Sequence, residues 1–242
     1  MDKINILGVN IANVSKTEAL EKLEEYLKGQ RQHMIVTPNP EIILAAEADQ
    51  ELLNIMNGAD LAVLDGAGLQ FAAWAMGRNL QRVAGADLLK DILAMAEEQG
   101  RRVAVFNWGR GLAKAGEIKA ALADKFPGLE VYVEDLERAA AADLQLARQF
   151  APDIVFCTFG APWQEKFIYH NLPNLPSAKI GLGVGGSFDY LTGKLPRAPL
   201  WLRAMGLEWL WRLILQPRRW KRIYKAVIVF PVKFIVWLVV KK

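Results

Sequence analysis

Apolar and polar positions change period repeatedly along the chain. Seven short runs rich in Val, Ile and Phe predict β-strands: "INILGVNI" (4–11), "HMIVT" (33–37), "DLAVLD" (60–65), "RRVAVFN" (101–107), "LEVYVED" (129–135), "DIVFCTFG" (153–160) and "KIGLGVGG" (179–186). Between them, "SKTEALEKLEEYLKG" (15–29), "PEIILAAEADQELLNIM" (40–56), "GADLLKDILAMAEEQG" (85–100), "GLAKAGEIKAALADKF" (111–126) and "RAAAADLQLARQFA" (138–151) repeat apolar residues at helical spacing. Several of these stop at Gly or just before Pro. The alternation predicts an α/β fold, a mostly parallel sheet with helices on both faces. Composition shifts once, near "LPRAP" (195–199), which divides the chain into an α/β domain of residues 1–196 and a helical appendage of residues 197–242.

In such sheets ligands bind beyond the carboxyl ends of the strands, so the loops there hold the candidate chemistry. Four stand out: Thr37 to Glu41, Asp65 to Gly68, Gly160 to Lys166 and Gly185 to Asp189. "GLGVGG" (181–186) matches the dinucleotide fingerprint G-x-G-x-x-G in form. That fingerprint needs a long following helix, whereas "SFDYLTGKLPRAP" holds Gly193, Pro196 and Pro199. An NAD site is excluded, and two readings stay open for Gly185 and Gly186: a backbone loop approaching a phosphate, or a sharp turn. No D-x-D triplet occurs, so the common carboxylate clamp for a metal-bound sugar nucleotide is missing and no metal or other cofactor is expected.

Charge sharpens the division. From Trp201 onward ten Lys and Arg face one acid, Glu208, against 20 bases and 25 acids upstream, so a mildly acidic body carries a basic tail. Five of the eight tryptophans also lie in that tail. An acidic body without a known binding module argues against a nucleic-acid partner. The start of the chain shows no basic, apolar export pattern, and the expected location is cytoplasmic. Cys157 lies within an apolar run and reads as a buried strand residue. His33 and His170 are too isolated for a zinc site.

"TPNPE", "LDGAGL" with "RVAGADLL", "FGAPWQEKFI" and "GVGGSFDYLTGKLPRAP", in this order, resemble the WecG/TagA/CpsF family of glycosyltransferases over essentially the whole chain. The resemblance implies a Rossmann-like fold and inverting transfer of N-acetylmannosamine from a UDP donor to undecaprenyl-diphosphate-linked N-acetylglucosamine, in teichoic acid or related polymer synthesis. Uronic acid or other UDP-sugar donors are the alternative within the family, and a non-catalytic membrane-surface binder is the distant one. Inverting transfer needs a base for the acceptor hydroxyl and positive charge for the leaving diphosphate. The resemblance assigns the base to Asp65; capping a helix near Gly68 and binding a ribose are the other readings. Thr37 and Asn39 are suited to orienting a sugar or to starting the next helix, and Arg82 matches a pocket arginine. Gln164 can bridge sugar hydroxyls, while Glu165 and Lys166 read as a solvated helix start. Asp189 reads as a ribose ligand or a cap, and the loop Asn107 to Gly111 as a nucleotide contact.

The longest apolar run, Ala226 to Val240, contains Pro231 and Lys233 and would reach ~22 Å as a helix, short of a ~30 Å hydrocarbon core. Upstream, Trp and Leu interleave with arginines, the pattern of a helix lying in the headgroup layer. An anionic membrane surface is therefore an expected partner, with the protein peripheral on the inner face of the cell membrane. Self-association through the apolar tail is expected as well. Arg219 and Arg222 share a helix face, and Arg212 precedes Arg219 by seven residues across Pro217. All three match arginines of the family's appendage and are expected to approach the lipid diphosphate or the UDP leaving group; contact with lipid headgroups alone is the other reading.

Overall fold

The computed structural model describes residues 2–138 and 142–240. The chain opens with a hairpin, β1 (Lys3–Ile6) and β2 (Val9–Ala12), paired antiparallel. "INILGVNI" is thus two strands rather than one. Leu7 and Gly8 both adopt positive φ, 49° and 89°, as the two central residues of a primed hairpin turn do. Asn5 and Asn10 then meet across it, Nδ2 to Oδ1 at 2.9 Å.

The remaining strands alternate with helices. α1 (Lys16–Lys28), closed by a capping box at Ser15 and Glu18, leads to β3 (His33–Val36), α2 (Pro40–Glu47), α3 (Gln50–Gly58) and β4 (Leu61–Ala62). α4 (Ala67–Ala75), α5 (Gly85–Glu98), β5 (Val103–Trp108), α6 (Ala115–Lys125) and β6 (Val131–Leu136) follow. α7 (Gln145–Phe150), β7 (Ile154–Cys157), α8 (Trp163–Asn171), β8 (Ile180–Gly183) and α9 (Ser187–Leu191) complete the body. The single helix expected over 40–56 is interrupted because the Asp49 side chain accepts the Leu52 N–H at 3.1 Å and starts a new helix there. The helix expected over 138–151 is seen only from Gln145, and residues 139–141 of that stretch lie outside the described residues.

The six strands run in the order β4-β3-β8-β7-β5-β6, all parallel, with the hairpin joined through a bridge between Ala12 and Val63. Side chains of period two divide between the faces. Val103, Val105, Ile154, Phe156, Ile180 and Leu182 pack with α1, α5 and α6. Ala104, Phe106, Val155 and Cys157 pack with α7 and α8, and Val36, Ala62 and Leu64 with α2, α3 and α4. Both faces are covered, which accounts for the continuous apolar runs. Winding reverses between β3–β4 and β5–β6, so the carboxyl ends of the central strands open on a crevice.

Past Pro199 the appendage comprises α10 (Leu200–Ala204), α11 (Glu208–Leu215), a 3₁₀ turn (Pro217–Arg219), α12 (Trp220–Tyr224), a π turn (Lys225–Val229) and α13 (Phe230–Val240). Pro217 does break the run, since Gln216 leaves helical geometry at φ −133° and ψ 71°. Pro231 does not: the preceding π turn, with the Phe230 N–H bonded to the Lys225 carbonyl, absorbs the hydrogen bond a proline cannot make. The result is one continuous helical run of 24 residues, Pro217–Val240, about 36 Å long at helical rise. It joins the basic segment 217–225 to the apolar residues from Ala226, and is long and apolar enough, by length and composition, to cross a bilayer. Phe230 and Phe234 are its only fully buried residues, seated in the cluster formed by the hairpin, α2 and α4.

Candidate active site

The loops after β3, β4, β5, β7 and β8 and the inner side of the appendage enclose a cavity of about 730 Å³. All eleven site residues expected from the sequence line it. Proximity does not give them equal freedom, and their hydrogen bonds separate them.

Asp65 follows β4, its N–H bonded to the Pro38 carbonyl at 2.9 Å. It does not cap α4, whose N-cap is Gly66 (φ 95°) with no side-chain cap bond. The Gly85 amide at the start of α5 faces its carboxylate instead. A Cβ on Gly85 would lie 3.4 Å from Asp65 Oδ2 and 3.8 Å from Thr37 Oγ1, so this residue lies directly against both side chains. Burial at the cavity floor raises the Asp65 pKa to about 6; Glu208 adds to the rise, while Arg82, the Gly85 N–H and Arg212 oppose it.

Thr37 is buried beside it, 8% exposed. Asn39 has a defined structural task, its Oδ1 accepting the Glu41 and Ile42 N–H groups at 3.0 Å as the N-cap of α2. Arg82 donates to the Arg203 carbonyl and to Glu208, each at 3.3 Å. Glu208 also accepts from Arg197 at 3.0 Å, and Arg197 pairs with Asp87 at 3.1 Å. The sole acid of the tail therefore latches it to the body.

The break at Gln216 turns α12 back so that Arg212, Arg219 and Arg222 all reach the cavity. Arg212 donates to the Tyr190 hydroxyl at 2.6 Å and lies over that ring, which Arg197 also overlies. Arg222 pairs with Glu41 through two nitrogens. Arg219 is held down to about 10 by burial and by Arg212 and Arg222, the signature of crowded positive charge. Sequence reasoning missed a further member, Arg138, whose guanidinium stacks 3.5 Å from the Trp108 ring centroid and whose buried Nε has no partner among the described residues. Its position after a strand was the available signal.

Asn107, Trp108, Arg110 and Gly111 all border the cavity, and Asn107 is almost wholly buried there. Its Nδ2 donates to Asp135 at 2.6 Å and to the Ala113 carbonyl at 2.9 Å. Its Oδ1 accepts from Thr158 at 2.7 Å. Asp189 is not a cap either: it lies inside α9, accepts the Ala113 N–H at 3.3 Å, and has its pKa raised by burial.

Gln164 and Glu165 differ most from expectation. Glu165 is 2% exposed, not solvated, because α8 turns its first residues under the sheet edge; burial lifts its pKa to about 7. Lys166 pairs with Asp49 and Glu51. Both polar atoms of Gln164 bind protein groups: Oε1 accepts the Gly160 and Gly185 N–H groups at 3.0 and 2.9 Å, and Nε2 donates to Glu165 at 2.8 Å. The glycines of "GLGVGG" serve the same packing. A Cβ on Gly181 would fall 2.6 Å from Ile168, and one on Gly183 2.5 Å from Gln164.

A parallel α/β sheet whose carboxyl-edge cavity gathers a buried carboxylate of raised pKa with a cluster of guanidinium groups has the site of an enzyme suited to an anionic ligand. The particular kind follows from comparison: the model of the glycosyl transferase WecG/TagA/CpsF family matches residues 4–242, and the chain belongs to that family of glycosyltransferases. It is 32% identical to the N-acetylglucosaminyldiphosphoundecaprenol N-acetyl-beta-D-mannosaminyltransferase of Bacillus subtilis (strain 168), across 92% of this chain and 88% of that protein. Proteins of the same name from Bacillus spizizenii (strain ATCC 23059 / NRRL B-14472 / W23) and Staphylococcus aureus (strain MRSA252) are 34% and 29% identical. They match over 82% and 91% of this chain and 77% and 87% of their own lengths.

Proposed function

We propose that the chain moves N-acetylmannosamine from UDP-ManNAc to N-acetylglucosamine carried on undecaprenyl diphosphate, with inversion to a β linkage. The relatives' shared name supports the sugar and the acceptor. One observation carries the mechanism: Asp65, raised to about 6, and the arginines of the appendage line one cavity. The acceptor oxygen bonds to the sugar C1 as the C1–O bond to the diphosphate breaks. Asp65 takes the hydroxyl proton, and UDP leaves with the bonding pair. A base of pKa about 6 is mostly ionised at neutral pH yet more basic than an ordinary carboxylate. Arg212, Arg219 and Arg222, with Arg138, neutralise the diphosphates, a role suited to a planar fork that stays charged, and no metal enters the reading.

Thr37 and the Asn39 Nδ2 orient the sugar, and Arg82 lies beside the base. Gly186 lines the cavity with an N–H that bonds to no acceptor among the described residues, which suits it to a phosphate oxygen. The membrane reading places the enzyme on the inner leaflet. Trp74 on the body, and Trp201, Trp220, Ile235, Val236 and Val239 on the tail, are exposed apolar groups. Arg218, Lys221 and Lys225 are exposed without a carboxylate partner among the described residues, each contributing roughly 1 kcal/mol near anionic lipid.

UDP release with a prenyl-diphosphate-linked GlcNAc acceptor tests the reading. UDP-ManNAc is expected to outpace UDP-GlcNAc, UDP-glucose and the uronic acid donor. Tenfold preference for another donor, or an α-linked product, overturns it.

A further inference from the structure

Gln164 and Glu165 form the most enclosed polar pair beside the cavity, 4% and 2% exposed. Gln164 bridges the loops after β7 and β8, neighbours in the middle of the sheet. Both glycines it holds, Gly160 and Gly185, stand at positive φ, 71° and 50°. Their amide directions therefore depend on a held conformation. A glutamine amide is nearly symmetric in shape, and the opposite rotamer would set its NH₂ against two N–H donors. The two glycine N–H groups oppose that rotamer, and the ionised carboxyl of Glu165, which accepts from Nε2 and has no proton for Oε1, adds to the same preference. Gly183 completes the arrangement by leaving space where any Cβ would strike Gln164.

We propose that Glu165 is a positioning residue of the transfer reaction: through Gln164 it fixes the Gly160 and Gly185 amides and so the two central loops of the donor pocket. With the Gly185 N–H turned onto Gln164, the following amide, Gly186, is the one left for ligand. The kinetic part rests on the transferase reading above, whereas the amide lock does not.

Four proteins test it: Glu165→Met, Glu165→Gln, Gln164→Glu, and the double variant Gln164→Glu with Glu165→Gln. The swap restores complementarity, since a carboxylate at 164 accepts both glycine amides and the Nε2 of a glutamine at 165. Hydrogen exchange at Gly160 and Gly185 is expected to speed about tenfold in Glu165→Met and Gln164→Glu and to return toward the parent rate in the swap. At saturating donor, kcat is expected to fall about tenfold or more in the same two variants, to hold within about threefold in Glu165→Gln, and to recover in the swap. Should Glu165→Met fail to fold, the comparison of Gln164→Glu with the swap decides alone. Unchanged amide exchange in the single variants, or a swap no better than Gln164→Glu, overturns the lock. Restored exchange without restored kcat overturns its part in turnover, and a parent that releases no UDP overturns the transferase reading while the exchange result stands.

Discussion

The α/β body and the appendage meet around one cavity but are held by different forces. In the body, Ile35 and Val36 of β3, Leu61 and Ala62 of β4, and the residues of β7 and β8 are almost wholly enclosed, so the loops that carry Thr37, Asp65 and the Gln164 bridge rise from a rigid sheet. From α11 through the π turn no residue of the appendage is fully buried. Its attachments include the pairs Arg82–Glu208, Arg222–Glu41 and Lys233–Glu47, the Arg212–Tyr190 hydrogen bond, and the buried rings of Phe230 and Phe234. The more exposed pairs Arg222–Glu41 and Lys233–Glu47 contribute ~0–1 kcal/mol each, whereas truncating a buried Phe costs ~3–5 kcal/mol. The two rings therefore outweigh those pairs in docking. The contrast teaches that the proposed base belongs to the permanent part of the molecule and the arginines proposed to bind diphosphate to its conditional part.

Changes on each side should show this asymmetry. Asp65→Asn is expected to lower kcat by about 10²–10⁴ while UDP binding stays near the parent value, and parental turnover would remove the base from the body. In the parent, kcat/KM is expected to rise as pH increases through about 6 and then level off. Arg219→Gln should cost about 10² in kcat with unchanged liposome binding, and the reverse pattern would make the tail a membrane anchor only. Phe230→Ala with Phe234→Ala should leave the body's urea midpoint nearly unchanged while speeding proteolysis of the tail about tenfold or more; a single cooperative transition moved as a whole would erase the distinction between the parts.

A smaller effect concerns stability. The folded pKa of Asp65, about 6, exceeds the ordinary 3.8, so the folded state binds more protons between those values and loses stability as pH rises through them. Asp65→Asn should therefore resist urea better than the parent at pH 8, by about 2 kcal/mol, with the advantage gone near pH 4. An advantage independent of pH would mean that the carboxylate is not the destabilising group.

Much of this was readable from the chain. Strand and helix alternation identified the sheet, and residues placed just after strands led to the cavity because parallel topology gathers those loops at one edge. Local pattern failed where tertiary contact decides. Nothing in "QEK" announces that Gln164 packs against Gly183 and that Glu165 is buried beside it rather than in water. "INILGVNI" alternates like one strand, although its central Gly8 marked the turn that Leu7 shares. The Asp49 cap was legible as an Asp within a helical run, yet the run's apolar period hid it. Pro231 suggested a stop, and only the π turn upstream shows how the helix continues. The partners of Arg82 and Arg212, namely Glu208 and Tyr190, are far away in sequence and came from the fold alone.

Gly206 makes the α10–α11 turn at φ 74°, and a Cβ there would stand 2.7 Å from that of Ala67. Ala67 is two positions past Asp65 and opens α4. A single added methyl at this joint would act as a shim, lifting the lid and pushing on the stem of the acid beneath it.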